Sequence, residues 1–191
     1  MAKNLYIIGG CNGAGKTTAS YTVLPEILHC REFVNADEIA RGLSPFNPGS
    51  VTIEAGRLMI QRIEELLARD ATFSIETTLA TRSYARLVRR AQQRGYCVSL
   101  LYFWLNSPEL AQRRVAERVA RGGHDIPLTT IYRRYAAGIS NLFRMYMPAV
   151  DYWAIYDNSG IDRVKIATGR RGEAPNVYQE EFYQKIKNYV G

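Results

Sequence analysis

Gly10, Gly15, Lys16 and Thr17 of the stretch GCNGAGKTT have the spacing G-x-x-x-x-G-K-[ST], the pattern of a loop that cradles nucleotide phosphates. Glycines let backbone N–H groups turn inward around an anion without side-chain obstruction. Lys16 would bring positive charge to the β- and γ-phosphates, and the Thr17 hydroxyl would ligate Mg²⁺. Gly10, Asn12, Gly13, Ala14, Gly15, Lys16, Thr17 and Thr18 are therefore the expected nucleotide contacts. The loop leaves open the fate of the terminal phosphate: hydrolysis for work, hydrolysis as a switch, or transfer to an acceptor.

Two acids and a set of arginines bear on that choice. Asp37 lies just after the stretch EFVN, at the edge where a parallel sheet binds ligands. A carboxylate there can take the proton of an attacking hydroxyl or help to hold Mg²⁺. It can equally cap a helix that continues through Glu38, Ile39 and Ala40. Glu76 closes FSIE and is followed by Thr77 and Thr78. It suits a metal-supporting or water-orienting acid, and equally an acid that hydrogen-bonds a substrate hydroxyl. Arg114, Arg118 and Arg121 share a helix face at i, i+4 and i+7. Arg133 and Arg134 follow the break GGHDIP. Two arginine-bearing helices joined by a glycine-containing break look like a lid, over about residues 118–134, that sets guanidinium groups on a transferring phosphoryl group. Arg113 and Arg133 read as solvated surface charge. His124, with nothing nearby to orient it, reads as a loop hydrogen-bonder.

Alternating strands and helices must position these groups. Leu5–Ile8 reads as a buried strand feeding the glycine loop, with a helix from Gly15 that ends or kinks at Leu24–Pro25. Residues 32–35 form a second strand, and GLSPFNPGS a loop. The helix that follows runs to about Arg69, with Met59, Ile63, Leu66 and Leu67 in one apolar stripe. Residues 72–75 read as a strand, 82–93 as a helix and CVSLLYFW, 97–104, as the strongest strand of the chain. Helices are expected at 108–121 and 128–146, a strand at 152–156, a short edge strand at 163–168 and a tail helix at 177–189. This order implies parallel strands with helical crossovers. The expected fold is α/β: a P-loop nucleoside-triphosphate hydrolase fold of the kinase-like kind, its mostly parallel sheet flanked by helices, with an arginine-bearing lid. All 191 residues are read as one domain.

Composition narrows the setting. With 47% hydrophobic residues the chain can bury a core. No apolar run reaches the ~18 residues that cross a bilayer, and the start lacks the apolar region and cleavage site of a secretory signal. The expectation is a cytoplasmic protein without a membrane partner. Cys11, Cys30 and Cys97 have no paired spacing for zinc or a disulfide framework. Cys11 lies in the phosphate loop and reads as a small loop residue. The net charge of +7 fits a small phosphorylated substrate or a nucleic acid.

The ordered set GCNGAGKTT, NADEIA, SIETTL, RVAERVARGGHDIPLTTIYRRY and YDNSG resembles the zeta toxin family of phosphate-loop kinases, in particular its shorter, single-domain relatives. The resemblance runs from the loop to about Gly160. It implies an ATP-dependent kinase: the characterised toxins phosphorylate the 3′-hydroxyl of the sugar in UDP-N-acetylglucosamine. By the same resemblance Lys16 and Thr17 bind phosphate and Mg²⁺, and Asp37 is the general base. Glu76, with Thr77 beside it, contacts the sugar substrate. Arg118 and Arg134 are the lid arginines, with Arg121 a weaker match. Asn158 lies near the adenine. Arg57, in EAGR, follows the shorter relatives as a substrate contact. Asn35 departs from the family, which has an acid there. An antitoxin chain is an implied partner. Against this kinase of a nucleotide sugar stand two alternatives, a polynucleotide 5′-hydroxyl kinase and a nucleotide-dependent binding module without transfer activity.

Overall fold

The structure, a computed structural model, describes residues 3–123 and 125–190. Its frame is a seven-stranded sheet of order β2-β3-β1-β4-β5-β6-β7. The first five in that order are mutually parallel: β2 (Phe33–Val34), β3 (Phe73–Thr77), β1 (Lys3–Gly9), β4 (Tyr96–Trp104) and β5 (Tyr152–Asp157). Two antiparallel strands extend it, β6 (Val164–Arg170) and β7 (Asn176–Val177). The central strands carry the core. Leu5, Ile7, Phe73, Ile75, Val98, Leu100, Ala154 and Ile155 are fully buried. This is the run-on apolar character of strands covered on both faces.

The helices pack around this sheet as α1 (Lys16–Thr22), α2 (Ala36–Leu43), α3 (Thr52–Ala68), α4 (Tyr84–Gln93), α5 (Pro108–Ala120), α6 (Leu128–Asn141) and α7 (Glu180–Asn188). The stripe Met59, Ile63, Leu66 and Leu67 is the buried face of α3. Pro25 does not end the first helix outright. The α-helical turns stop at Thr22 and the chain continues as a widened π-type turn over Val23–Ile27. Pro25 lacks the N–H that would bond Tyr21 O, and further along Leu28 N bonds Val23 O, five residues back, at 3.0 Å.

Three expectations change. The strand expected at 32–35 is reduced to Phe33–Val34, because Asn35 already serves the start of α2. The strand expected as an edge, now β6, is covered by β7. Val177 belongs to that added strand, so the tail helix begins three residues later at Glu180. His124 lies outside the described residues. Among the described residues no helix is long and apolar enough to cross a membrane.

Helix α5 ends where the sequence places its glycine break. Gly122 has φ 85° and its N–H bonds Val119 O at 2.9 Å, while Gly123 N bonds Arg118 O at 2.9 Å. These paired bonds are a Schellman termination, with glycine in the left-handed position. Gly123 is needed for room as well: a Cβ there would stand 2.6 Å from Arg118 Cγ and 2.8 Å from Arg118 O. Gly123→Ala is expected to displace the end of α5 and cost about 1–3 kcal/mol, seen as a lower Tm in thermal unfolding; an unchanged Tm would show that the turn relaxes freely.

Candidate active site

The loop between β1 and α1 is shaped by its neighbours. Gly10 has φ 145°, and a Cβ there would lie 2.4 Å from Phe103 O on β4. Gly13 and Gly15 also sit at positive φ, 77° and 74°. A Cβ on Gly13 would meet Ala111 O at 2.8 Å, and one on Gly15 would meet Asn158 Nδ2 at 2.6 Å. Only glycine fits where backbone approaches this closely. Asn158 Nδ2 donates to Ala14 O at 2.8 Å and pins the loop from the β5 side. Gly15 precedes α1 without any side-chain cap. The N–H groups of the first turn are thereby left for an anion.

Behind the loop lies a charged cluster. Lys16 Nζ donates to Cys11 O at 3.0 Å and stands 3.6 Å from Glu76 Oε1, with both side chains more than nine-tenths buried. Thr17 Oγ1 donates to Glu76 Oε2 at 2.8 Å. Glu76 is carried here by β3, which pairs directly with β1, so that Ile8 and Glu76 are register partners. Burial raises the Glu76 carboxyl above the usual carboxylate range; the Lys16 charge and the Thr17 hydroxyl oppose that, and Asp37 adds to it. A buried acid so supplied with donors, beside the loop threonine, fits support of a metal at Thr17. A P-loop Mg²⁺ takes most of its ligands from phosphate and water.

Asp37 is not the cap of α2. That place is taken by Asn35, whose Oδ1 accepts from Asp37 N at 2.8 Å and Glu38 N at 3.4 Å. Asp37 stands in the first turn with an exposed side chain. It borders three adjoining clefts. One holds Lys16, Thr17, Glu76 and Arg118. A second, of 290 Å³, lies between α2 and α6 and is edged by Arg41, Arg118, Arg133 and Arg134. The third holds Asn35, Thr77, Thr78 and Arg134.

The arginines separate. Arg118 borders the first and second clefts. Arg134 Nη1 donates to Asn12 Oδ1 at 3.2 Å, joining α6 to the loop. Burial lowers its guanidinium, which the Asp37 charge counters; an arginine remains protonated regardless. Arg121 is exposed at the end of α5, in a shallow cleft that shares Arg41, Arg114 and Arg118 with the Lys16 cleft, and it does not itself border the latter. Arg57 is exposed on α3 and borders none of the five clefts around the loop. Thr77 Oγ1 accepts from Leu79 N at 3.1 Å, a local turn that shapes the third cleft. Asn158 and Thr18 border a further cleft beside the loop, with Val23, Ile27 and Ile161 as its apolar edge and Arg163 at its rim.

Residues 5–134 match an AAA domain family. The chain belongs to that family. This AAA domain is also 30% identical, over 126 residues, to an uncharacterized protein of Haemophilus influenzae, an alignment spanning 66% of the chain and 88% of the relative. In structure it is similar to a chain of the AvrRxo1-ORF1:-ORF2 complex crystallised with ATP, with TM-score 0.79 and 18% identity. That alignment takes in 97% of the AAA domain chain but only 63% of the other chain's length. It is likewise similar to a chain of the PezAT chromosomal toxin–antitoxin system of Streptococcus pneumoniae, with TM-score 0.64, 17% identity and coverage of 99% and 86%. The mostly parallel sheet flanked by helices is the P-loop kinase fold.

Two residues of the AAA domain site have parts that the sequence reading did not give them. Asn35 appears there only as a departure from the zeta toxin pattern. Arg114, expected with Arg118 and Arg121 on the lid face that meets the phosphoryl group, is bound elsewhere. Its Nη1 donates to Asn158 O at 2.8 Å and its Nη2 to Ser159 O at 2.9 Å, a fork that ties α5 to the turn after β5. The i+4 spacing to Arg118 was the available signal. Arg114→Ala is expected to lower stability by about 1–2 kcal/mol and to speed amide hydrogen exchange over 158–160. Arg114→Lys should restore little, since an ammonium cannot span two carbonyls in a planar fork; full restoration by lysine would show that charge alone suffices. Cys11 is buried and its thiol is pushed up to about 11 by that burial, while Cys97 is exposed. In Ellman titration at about pH 8 only Cys97 should react quickly; a fast second thiol that ATP protects would contradict the burial of Cys11.

Proposed function

We propose that this AAA domain is an ATP-dependent phosphotransferase that moves the γ-phosphoryl group to a hydroxyl of a small phosphorylated metabolite, in the first instance a UDP-amino sugar such as UDP-N-acetylglucosamine. The observation that carries the reading is the position of Asp37. Freed from capping by Asn35, it borders both the loop cleft and the arginine-edged cleft between α2 and α6. A carboxylate at such a junction can take the acceptor proton as the hydroxyl oxygen attacks the γ-phosphorus, with ADP as leaving group.

The other groups have parts to match. Lys16 and the loop N–H groups hold the phosphates in line. Thr17, backed by Glu76 and faced by Asp37, would hold Mg²⁺, which when bound neutralises charge on the β- and γ-phosphate oxygens. Arg118 and Arg134, on the two helices of the lid, balance charge on the transferring group. Arg41 and Arg133, in the α2–α6 cleft, suit an acceptor that carries phosphate of its own. ATP as donor is supported by the presence of ATP in the structurally similar AvrRxo1 complex. The likeness to a chain of the PezAT toxin–antitoxin system supports an antitoxin chain as a partner.

The net charge of +7 favours, as a second reading, the 5′-hydroxyl end of a nucleic acid as acceptor. Incubation with γ-labelled ATP and a panel of nucleotide sugars and 5′-hydroxyl oligonucleotides separates the two. Label is expected on a nucleotide sugar; label on the oligonucleotides alone would replace the first reading with the second. Asp37→Asn should cut transfer by roughly 10²–10⁴-fold while ATP affinity stays within about threefold. Retained transfer would remove Asp37 as the base, and ATP binding without transfer to any acceptor would leave a binding module.

A further inference from the structure

Asn35 is only 5% exposed and both ends of its amide are used. Its Nδ2 donates to Glu76 Oε2 at 3.0 Å, and its Oδ1 accepts from Asp37 N at 2.8 Å. This orientation is forced. A flipped amide would turn Oδ1 onto a carboxylate and an NH₂ group onto the N–H groups of α2, two mismatched contacts.

We propose that Asn35 is a positioning residue that couples the phosphate side of the site to Asp37. Glu76 holds the Thr17 hydroxyl, Asn35 holds Glu76, and the same amide fixes the first turn of α2 from which Asp37 projects. One planar group thus sets the spacing between the group that receives the metal-bound phosphates and the group beside the acceptor cleft. Such spacing must be kept to within about 0.5 Å for a site to work. An aspartate at this position would still cap α2. It would also set a second carboxylate against Glu76, which already shares its surroundings with Asp37 and has Lys16 as the nearby cation. The amide is therefore required for its donor. The proposal rests on the phosphotransferase reading for the role of Asp37, while the coupling itself is read by binding.

Calorimetric binding of ATP, with Mg²⁺ and with EDTA, tests it on the full chain and on Asn35→Ala, Asn35→Asp and the double variant Asn35→Asp/Glu76→Gln. Asn35→Ala should lower Tm by about 2–4 °C through loss of the cap. It should also weaken MgATP binding about tenfold or more, as loss of a support behind a metal ligand does, with ATP binding in EDTA within about twofold of wild type. Asn35→Asp should lose MgATP affinity as alanine does. The double variant exchanges donor and acceptor and should bind MgATP better than Asn35→Asp, while staying weaker than wild type because the Glu76 carboxylate behind Thr17 is gone. Equal Mg²⁺ advantage in wild type, alanine and aspartate variants overturns the coupling, as does a double variant no better than Asn35→Asp. If the binding pattern holds while no acceptor is phosphorylated, the transfer reading fails and the coupling stands.

Discussion

A carboxylate taken out of water must be matched by donors or lose its charge. Glu76 meets that requirement with the Thr17 hydroxyl, the Asn35 amide and the Lys16 ammonium. They come from two places along the chain, Lys16–Thr17 and Asn35, and the pairing of β3 with β1 on one side and β2 on the other brings Glu76 to both. The order of the site follows from this. Glu76 ties down Lys16 and Thr17 at the start of α1, Asn35 caps the start of α2, and Asp37 takes its position from that start.

The opposite flank depends on proximity of backbones. β4 lies beside β1 in parallel register from Lys3↔Tyr96 to Gly9↔Tyr102, and the chain leaving β1 passes so near Phe103 O that position 10 admits no side chain. Asn158 then closes the loop from the end of β5, and Arg114 ties that same turn to α5. The loop is held by strand neighbours and the Asn158 amide, while its anion-facing side is left to backbone N–H groups. Tyr135, next to Arg134 on α6, donates to Leu105 O at 2.6 Å. That buried bond roots the second arginine-bearing helix in the end of β4.

The parts legible in the sequence are those governed by local pattern. The loop spacing, the α3 stripe and the apolar run of β4 all appear where pattern puts them, because periodicity and burial act over neighbouring residues. β7 was not legible, being two residues long and paired only through β6. At Pro25, where the chain was expected to end or kink the helix, it continues as a π-type turn with Leu24 buried in the core. Within the site, Asp37 could be read as a base or as a cap, and the sequence held both. What removes the cap reading is Asn35, and its use depends on a carboxylate 41 residues away. Arg114 shows the same limit, since its carbonyl partners lie 44 and 45 residues on.

Lys16 has a further consequence. Its ammonium rests on the Cys11 carbonyl and near Glu76 rather than in water. An anion that recruits Lys16 therefore has to draw the ammonium away from both partners at once. The more negative charge the anion carries, the more that exchange returns.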